Sequence, residues 1–302
     1  MKWTVYGGRE RASFGSRILL VSCIFLLAAL VFANFSKQFK IGHASAASST
    51  QTLVRDESPL TIPKTISQPA ASPDSNAELS QIITQWMQKQ PGSQQWAASV
   101  RGFSGTSVSA SYQADNEFES ASIYKLYLTY ALTKIVPSNT WSTTQVPGDG
   151  RSYADCVTAM MQRSDNACGA AIGQAIGWDQ AQETSRTAGY THTMLNGVPQ
   201  TTTPNDTLQF LQDLYTSKTF SSDVRQQILS AMQHSIFRQG IVAGCPDCNV
   251  ANKTGIMDGY DHDAAIIQVD GKDFGLVIFS KGGSTNQIAD LTKLIQQYIR
   301  SH

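Results

Sequence analysis

The chain has 302 residues, 41% of them hydrophobic, and its 23 basic and 23 acidic residues give a formal net charge of zero. A chain of this length and composition forms one or two ordinary globular domains with a buried core. The balanced charge provides no strong electrostatic field for binding nucleic acid or an acidic partner, so no nucleic-acid partner is expected.

The first 40 residues differ in composition from the rest of the chain. Four basic residues precede an uncharged, mostly apolar run over residues 18–35, which is about the minimum length of a membrane-spanning helix. Basic residues before such a run favour a cytoplasmic N-terminus. We therefore expect residues 1–40 to form a cytoplasmic stub and a single-pass membrane anchor, with the rest of the chain on the extracellular or periplasmic side. A cleaved signal peptide is the alternative, because residues 44–46 resemble a small-residue cleavage site.

Residues 41–76 are rich in Ser, Thr, Ala and Pro. Such a composition buries too little apolar area to offset the entropy of ordering, so it predicts a flexible linker. Residues 77–302 then form one folded domain of ordinary size.

The patterns within this domain predict helices in the middle of the chain and strands near both ends. Because strands flank the helices, we expect an α+β sandwich whose sheet joins both ends of the domain. The predicted elements are, in chain order, a helix over 77–90, strands over 95–103 and 106–113, helices from 122 to about 239, and strands over 249–255, 263–271 and 274–282. A closing helix follows, with the apolar stripe Ile288, Leu291, Leu294, Ile295, Tyr298 and Ile299.

Ser122 and Lys125 lie three residues apart at the start of the helical segment SIYKLYLTYALTKIV. On a helix this spacing places both side chains on one face, so the amine can reach the hydroxyl. Partial burial would lower the pKa of Lys125 and allow it to activate Ser122 as a nucleophile. The alternative is that Lys125 extends to solvent and Ser122 only begins the helix.

Two further motifs follow in a compatible order: residues 164–166 read Ser-Asp-Asn, and residues 253–255 read Lys-Thr-Gly. Together with Ser-x-x-Lys, they resemble the signature set of the class A β-lactamase-like and penicillin-binding serine hydrolases. Residues 201–204, Thr-Thr-Thr-Pro, are similar to a helix start of the same family. The resemblance covers nearly all of residues 77–302 and implies a β-lactamase/transpeptidase-like fold, a five-stranded antiparallel sheet flanked by helices plus a helical subdomain.

The resemblance also implies a catalytic role for each motif. Ser122 would attack a β-lactam or an acyl-D-Ala-like amide to form an acyl-enzyme, with Lys125 as proton acceptor. Ser164, assisted by the charge of Lys253, would pass a proton to the departing nitrogen. Asn166 would hold both Lys125 and the side-chain amide of the substrate.

The Lys-Thr-Gly strand is implied to bind the substrate. Thr254, with Lys253, would hold the substrate carboxylate, and Gly255 completes this substrate-binding segment. The backbone N–H groups of Ser122 and Ile256 would form the oxyanion hole. Asp165 is expected to be structural and to cap backbone groups.

The sequence departs from the family where the deacylating glutamate is expected. Hydrolytic class A enzymes carry Glu-x-x-Leu-Asn before the Thr-Thr-Thr-Pro stretch, and that glutamate activates water. Here Leu195 and Asn196 are preceded by His192 at the glutamate position, in a shortened segment whose carboxylates, Asp179 and Glu183, are expected to face solvent. His192 is a candidate base near neutral pH, and a polar turn residue is the alternative.

The sequence therefore predicts a serine hydrolase acting on β-lactams or cell-wall peptides through an acyl-enzyme. Two alternatives remain open: a penicillin-binding protein or D,D-carboxypeptidase-like enzyme with slow deacylation, and a non-hydrolytic cell-wall-binding module. No metal or organic cofactor is expected, and the protein is expected to be a monomer.

Several other residues carry weaker hypotheses. In an oxidising compartment the simplest pairing of the domain's cysteines is 156–168 and 245–248, although four cysteines allow three connectivities. Arg238 and Lys281 are candidates for contact with a substrate carboxylate, with a solvated charge as the alternative. Tyr124 could pack in the core or line the cleft, and His262 is expected near a hairpin tip.

Overall fold

The computed structural model describes residues 59–60, 73–216 and 219–302. The predicted membrane anchor, residues 1–40, and most of the predicted linker lie outside the described residues. Within the described ranges, no helix combines the length and the apolar character that a bilayer crossing requires.

Helices and strands occur in the predicted order, with a few additional short elements. The helices are α1 (Pro73–Gln88), α2 (Tyr124–Ile135), α3 (Tyr153–Arg163), α4 (Asn166–Ile176), α5 (Trp178–Thr187), α6 (Pro204–Thr216), α7 (Ser222–Gln233), α8 (Ile241–Gly244) and α9 (Thr285–Ser301). The strands are β1 (Gln95–Ser104), β2 (Ser109–Tyr112), β3 (Phe118–Glu119), β4 (Thr201–Thr202), β5 (Asn249–Met257), β6 (Tyr260–Val269) and β7 (Lys272–Lys281). Short 3-10 turns lie at Ala121–Ile123 and Ser138–Thr140.

The main sheet has five strands in the order β2-β1-β7-β6-β5, and every neighbouring pair is antiparallel. The two chain ends meet where β1 pairs with β7. The predicted α+β architecture and its five-stranded antiparallel sheet are therefore confirmed. Strand β5, which carries the Lys-Thr-Gly motif, is at an edge of this sheet, so one side of its backbone has no strand neighbour in the sheet.

Helices cover both faces of the sheet. Alternation along a strand sends successive side chains to opposite faces: Val277 and Phe279 of β7 pack with the central helices, whereas Leu276 and Ile278 pack on the side of α1 and α9. The apolar stripe of α9 is buried except for Leu294, which is 38% exposed because it lies on the margin of the stripe.

Residues 59–60 and 73–76 of the predicted linker are among those described, and the last four belong to α1. Leu60 is 5% exposed and belongs to the same apolar cluster as the central helices. Its N–H donates to Gln233 Oε1 at 3.5 Å. The segment before α1 therefore has an attachment point on the domain at Leu60.

Candidate active site

Ser122 lies in the 3-10 turn that leads directly into α2. Its predecessor, Ala121, has a φ of 44°, a conformation that costs free energy for a residue other than glycine and persists where the surroundings impose it. Lys125 occupies the first turn of α2, and its Nζ donates to Ser122 Oγ at 2.7 Å. The two side chains therefore meet within one helical turn.

Lys125 is fully buried, so the alternative in which it extends to solvent is wrong. Its Nζ also donates to Asn166 Oδ1 at 2.7 Å and lies 4.9 Å from the centre of the Tyr124 ring. Burial lowers the pKa of Lys125 to about 8, while the carboxylate of Asp165 opposes this shift. The amine is therefore partly neutral near physiological pH, which suits it to accept the Ser122 proton.

Ser164 lies in the tight turn between α3 and α4, with a left-handed φ of 58°. The turn is braced by Asp165, which accepts hydrogen bonds from Cys168 N at 2.9 Å and from the Arg151 guanidinium at 2.8 and 3.2 Å. The hydrogen bond from Arg151 lowers the pKa of Asp165 to about 2. The Cys156–Cys168 disulfide also joins the two helices. The predicted capping role of Asp165 is confirmed.

Lys253 reaches Ser164 from β5. Its Nζ donates to Ser164 Oγ at 3.0 Å and to the carbonyl oxygen of Thr254. Burial, with the nearby ammonium of Lys125, holds the pKa of Lys253 well below its usual range, although Asp263 opposes the shift. The lowered pKa suits Lys253 to exchange a proton with Ser164.

Gly255 allows β5 to pack against the turn that carries the nucleophile. A Cβ at this position would lie 2.9 Å from both Ile123 Cγ1 and the carbonyl oxygen of Ser120. Side chains are not tolerated at such distances without a shift of the backbone. Glycine therefore permits the Lys-Thr-Gly strand and the Ser122 turn to form the two sides of one cleft.

His262 pairs with Gly255 across β5 and β6 and is 1% exposed. In the Nε2–H tautomer it donates to the carbonyl oxygen of Glu119 at 2.9 Å, and its Nδ1 accepts from Ser280 N at 3.2 Å. Burial lowers the pKa of His262 to about 4. The predicted hairpin-tip location is wrong, because β6 begins at Tyr260 and places His262 inside the sheet.

A cavity of about 250 Å³ opens at Ser122. The predicted residues Asn166 and Ile256 form part of its wall. Tyr124, for which the sequence left two possibilities, lines this cleft. The wall also contains residues that the sequence analysis missed, among them Glu119, Gln200 and Met257. None of the three belongs to a motif, so no sequence signal was available to identify them.

Three other residues that the sequence suggested, His192, Arg238 and Lys281, are not among the described residues that line this cavity. The side chain of His192 is 54% exposed, and its Nδ1 lies 3.8 Å from Asp206 Oδ1. Arg238 donates to a backbone carbonyl at 2.7 Å, and Lys281 lies 5.4 Å from a tyrosine ring centre at the end of β7. The structure therefore does not bring these three side chains to the wall of the Ser122 cavity.

The cysteines of the domain form the predicted disulfides, Cys156–Cys168 and Cys245–Cys248. In the described ranges, two groups of side chains are close enough together to hold a metal ion: Cys156 and Cys168 with Asp149, and Cys245 and Cys248 with Asp247. Because the sulfurs are bonded to each other, neither group offers a thiolate to a metal ion.

Comparisons with known proteins agree with the observed fold and with the motifs that it brings together in sequence order. A model described as "Beta-lactamase enzyme family" matches residues 78–299. The sequence matches none of the curated proteins with which it was compared.

Solved structures with a similar fold include both penicillin-binding proteins and β-lactamases. A leucine-to-glutamate variant of PBP-A, an acyl-enzyme complex with penicillin G, is 18% identical with a TM-score of 0.67, and the match covers 75% of this chain and 97% of that one. A tryptophan-to-aspartate variant of a class A β-lactamase, from the last common ancestor of Gram-negative bacteria, is 21% identical with a TM-score of 0.66, covering 74% and 99%. A class A β-lactamase from Bacteroides cellulosilyticus is 18% identical with a TM-score of 0.63, covering 76% and 99%. These matches show a β-lactamase/transpeptidase-like fold.

Proposed function

Because the chain belongs to the β-lactamase enzyme family, we propose that it is a serine hydrolase that acts on β-lactams or acyl-D-Ala-like amides through an acyl-enzyme on Ser122. The observation that carries this proposal is the 2.7 Å hydrogen bond between the buried amine of Lys125 and Ser122 Oγ. A buried lysine with a lowered pKa is an effective base for a serine nucleophile.

Acylation would proceed in two steps. Ser122 Oγ attacks the substrate carbonyl and gives its proton to Lys125, while the backbone N–H groups of Ser122 and Ile256 stabilise the oxyanion. Ser164 then protonates the departing nitrogen and takes a proton from the ammonium form of Lys253, whose Nζ lies 3.0 Å from Ser164 Oγ. The proton lost by Lys253 balances the one that Lys125 gained from Ser122. Because β5 is an edge strand, an extended substrate can lie alongside it with its carboxylate near Thr254.

Deacylation is the step for which the site offers least support. Asp179 accepts a hydrogen bond from Asn196, and Glu183 pairs with Arg186 on the surface of α5. Among the described residues of the cavity wall, the one with a carboxylate side chain is Glu119. We therefore infer a long-lived acyl-enzyme. A long lifetime favours the second candidate function, a penicillin-binding or carboxypeptidase-like enzyme, over an efficient β-lactamase.

A non-hydrolytic cell-wall-binding module is the third possibility. Such a module would need neither a buried base beside Ser122 nor the pairing of Lys253 with Ser164. Both contacts are present, so we favour an active enzyme.

The location of the enzyme is also a proposal. We infer that residues 18–35 anchor the chain in the cell membrane and that the catalytic domain lies outside the cytoplasm. The basic residues before the apolar run and the two disulfides support this arrangement. Protease treatment of intact cells tests it: cleavage of the domain from outside is expected, and full protection would contradict it.

The test of function is intact-mass spectrometry of the full chain over time after mixing with penicillin G. A covalent adduct is expected on the unaltered protein and not on Ser122→Ala, whereas Lys125→Ala should react far more slowly. Lys134→Ala is the matched control, because Lys134 lies on the same helix but donates to a carbonyl oxygen outside the site. Persistent labelling of Ser122→Ala would refute the nucleophile assignment.

The lifetime of the adduct distinguishes the two enzymatic candidates. An adduct that persists for hours identifies a penicillin-binding or carboxypeptidase-like protein. An adduct that decays while hydrolysed penicillin accumulates identifies a β-lactamase, and Glu119→Gln and His192→Ala would then show which side chain activates water.

A further inference from the structure

The two disulfides of the domain differ in their access to solvent. Cys156 and Cys168 are both fully buried, and their bond joins α3 to α4. Cys245 is also fully buried, but Cys248 is partly exposed, and the two residues between them are exposed. A thiol in solution can therefore reach the second pair through Cys248, whereas both cysteines of the first pair are shielded.

The Cys245–Cys248 bond also contributes less to holding the fold together. Its cysteines are 3 residues apart, against 12 for the other pair, and the stabilisation by a disulfide grows with the loop that it closes. The backbone N–H of Cys248 donates to the carbonyl oxygen of Cys245 at 3.1 Å. This turn keeps the two sulfurs close together when the bond between them is broken, and Cys-x-x-Cys is a spacing at which reactive cysteines occur.

A guanidinium lies beside both sulfurs of this pair. Arg300, in the last turn of α9, places its Nη2 3.9 Å from Cys245 Sγ and 3.8 Å from Cys248 Sγ. The guanidinium is held there by two ion pairs, with Asp247 at 2.8 Å and with Asp270 at 2.7 Å. Because a neighbouring cation favours a thiolate over a thiol, Arg300 stabilises the negative charge that forms on sulfur when the disulfide is opened.

The two carboxylates oppose this effect only in part. Asp247 Oδ1 lies 3.9 Å from Cys245 Sγ, so its charge disfavours a thiolate there. The side chains of Asp247 and Asp270 are 64% and 57% exposed, however, against 26% for Arg300. Water therefore screens the carboxylates more than the guanidinium, and the charge of Arg300 dominates at the sulfurs.

The Cys156–Cys168 pair has the opposite kind of neighbour. Cys156 Sγ lies 3.6 Å from Asp149 Oδ1, and a carboxylate beside sulfur opposes the formation of a thiolate. This buried pair therefore serves as an internal reference for a structural disulfide in the same chain.

We propose that Cys245–Cys248 is a thiol–disulfide exchange site that reacts with a dithiol. One thiolate of the dithiol attacks Cys248 Sγ and forms a mixed disulfide, while the bond to Cys245 breaks and its electron pair leaves with Cys245 Sγ beside Arg300. The second thiolate of the dithiol then attacks the dithiol sulfur that is bonded to Cys248 and releases Cys248 as a thiolate. The dithiol is oxidised by two electrons to a disulfide, the disulfide of the chain is reduced to two thiols, and the two protons of the dithiol pass to the cysteines.

The reaction does not involve Ser122. The exchange site is therefore independent of the proposed acyl-enzyme function, and either can fail while the other holds.

The experiment measures the reduction of both disulfides in the folded full chain by dithiothreitol at neutral pH. N-ethylmaleimide traps the thiols at timed intervals, and peptide mapping by mass spectrometry assigns each label and separates the two pairs from Cys23. We expect the 245–248 pair to be reduced at least about tenfold faster than the 156–168 pair. Glutathione, a monothiol, should form its mixed disulfide on Cys248. Equal rates for the two pairs, or a glutathione adduct on Cys245, would overturn the proposal.

Substitutions test the charge separately from access. Arg300→Gln should slow the reduction of Cys245–Cys248 about tenfold, and Arg300→Lys, which keeps the positive charge, should retain most of the rate. Asp247→Asn should accelerate the reaction, because it removes the carboxylate beside Cys245. Arg186→Gln is the matched control, since it also removes an arginine that pairs with a carboxylate but lies on α5.

The reference disulfide also reports the folding of each variant, because an unfolded domain would expose the 156–168 pair and speed its reduction. An unchanged rate in Arg300→Gln would overturn the proposal, since access alone would then explain the difference between the pairs. Reduced thioredoxin at the same dithiol concentration distinguishes the source of the dithiol: a faster reaction than with dithiothreitol indicates a dithiol protein, and a slower one indicates a small dithiol.

Discussion

Acylation of Ser122 should accelerate with pH in a way that reports the protonation of Lys125. Burial lowers the pKa of Lys125 to about 8, and only the neutral amine can accept the serine proton. At about pH 7, one unit below this pKa, about one-tenth of the molecules have a neutral amine. The rate constant should therefore increase about tenfold from pH 6 to pH 7, reach half its maximum near pH 8, and then level off.

Asp165→Asn provides a directed perturbation of the same group. The carboxylate of Asp165 raises the pKa of Lys125, so its removal should move the midpoint of the profile to lower pH. Asparagine retains the ability to cap α4, which limits structural change at the turn. The loss of this carboxylate also leaves the charge of Arg151 less neutralised, which acts in the same direction.

The assay is the second-order rate constant for adduct formation by penicillin G, measured by mass spectrometry between about pH 6 and pH 9. Tryptophan fluorescence at each pH verifies that the domain stays folded. A rate constant that is independent of pH, or that falls as pH rises, would refute Lys125 as the base. A midpoint that moves to higher pH in Asp165→Asn would refute the electrostatic reasoning.

Three further perturbations test the packing around the site. Gly169→Ala places a Cβ 2.5 Å from Tyr124 Oη and 3.1 Å from Lys125 Cε. Both side chains must shift, so acylation should fall about 10- to 100-fold, measured by the same adduct assay, while tryptophan fluorescence verifies that the domain is folded; an unchanged rate would contradict this. Burial lowers the pKa of His262 from 6.5 to about 4, so as pH falls the imidazole is protonated in the unfolded chain before it is protonated in the folded one. The free energy of unfolding therefore decreases as pH falls from 6.5 to about 4. Urea denaturation should show a loss of about 3 kcal/mol from this residue that is missing in His262→Gln; equal losses in both proteins would contradict it. Replacing Cys156 and Cys168 by alanine opens a loop of 12 residues and should lower the free energy of unfolding by about 2 to 3 kcal/mol, and an unchanged urea midpoint would count against this.

Local sequence determined much of the catalytic machinery. Ser122 and Lys125 meet because a three-residue spacing on a helix brings side chains together regardless of the rest of the fold. Asp165 caps α4 because a carboxylate before a helix accepts its first free N–H groups. The alternation and turn signals near the two ends of the domain also predicted five strands in an α+β arrangement, and the family resemblance added that the sheet is antiparallel.

Tertiary structure decided the contacts between distant segments that no motif marks. The sequence contained no signal that Gln200 lines the catalytic cavity, that Arg151 pairs with Asp165, or that His262 lies inside the sheet. These arrangements depend on how helices and strands pack, and pairwise spacing along the chain does not encode packing. The same reason explains the lowered pKa of Lys253: its motif named the residue, but only the folded structure buries it beside Lys125.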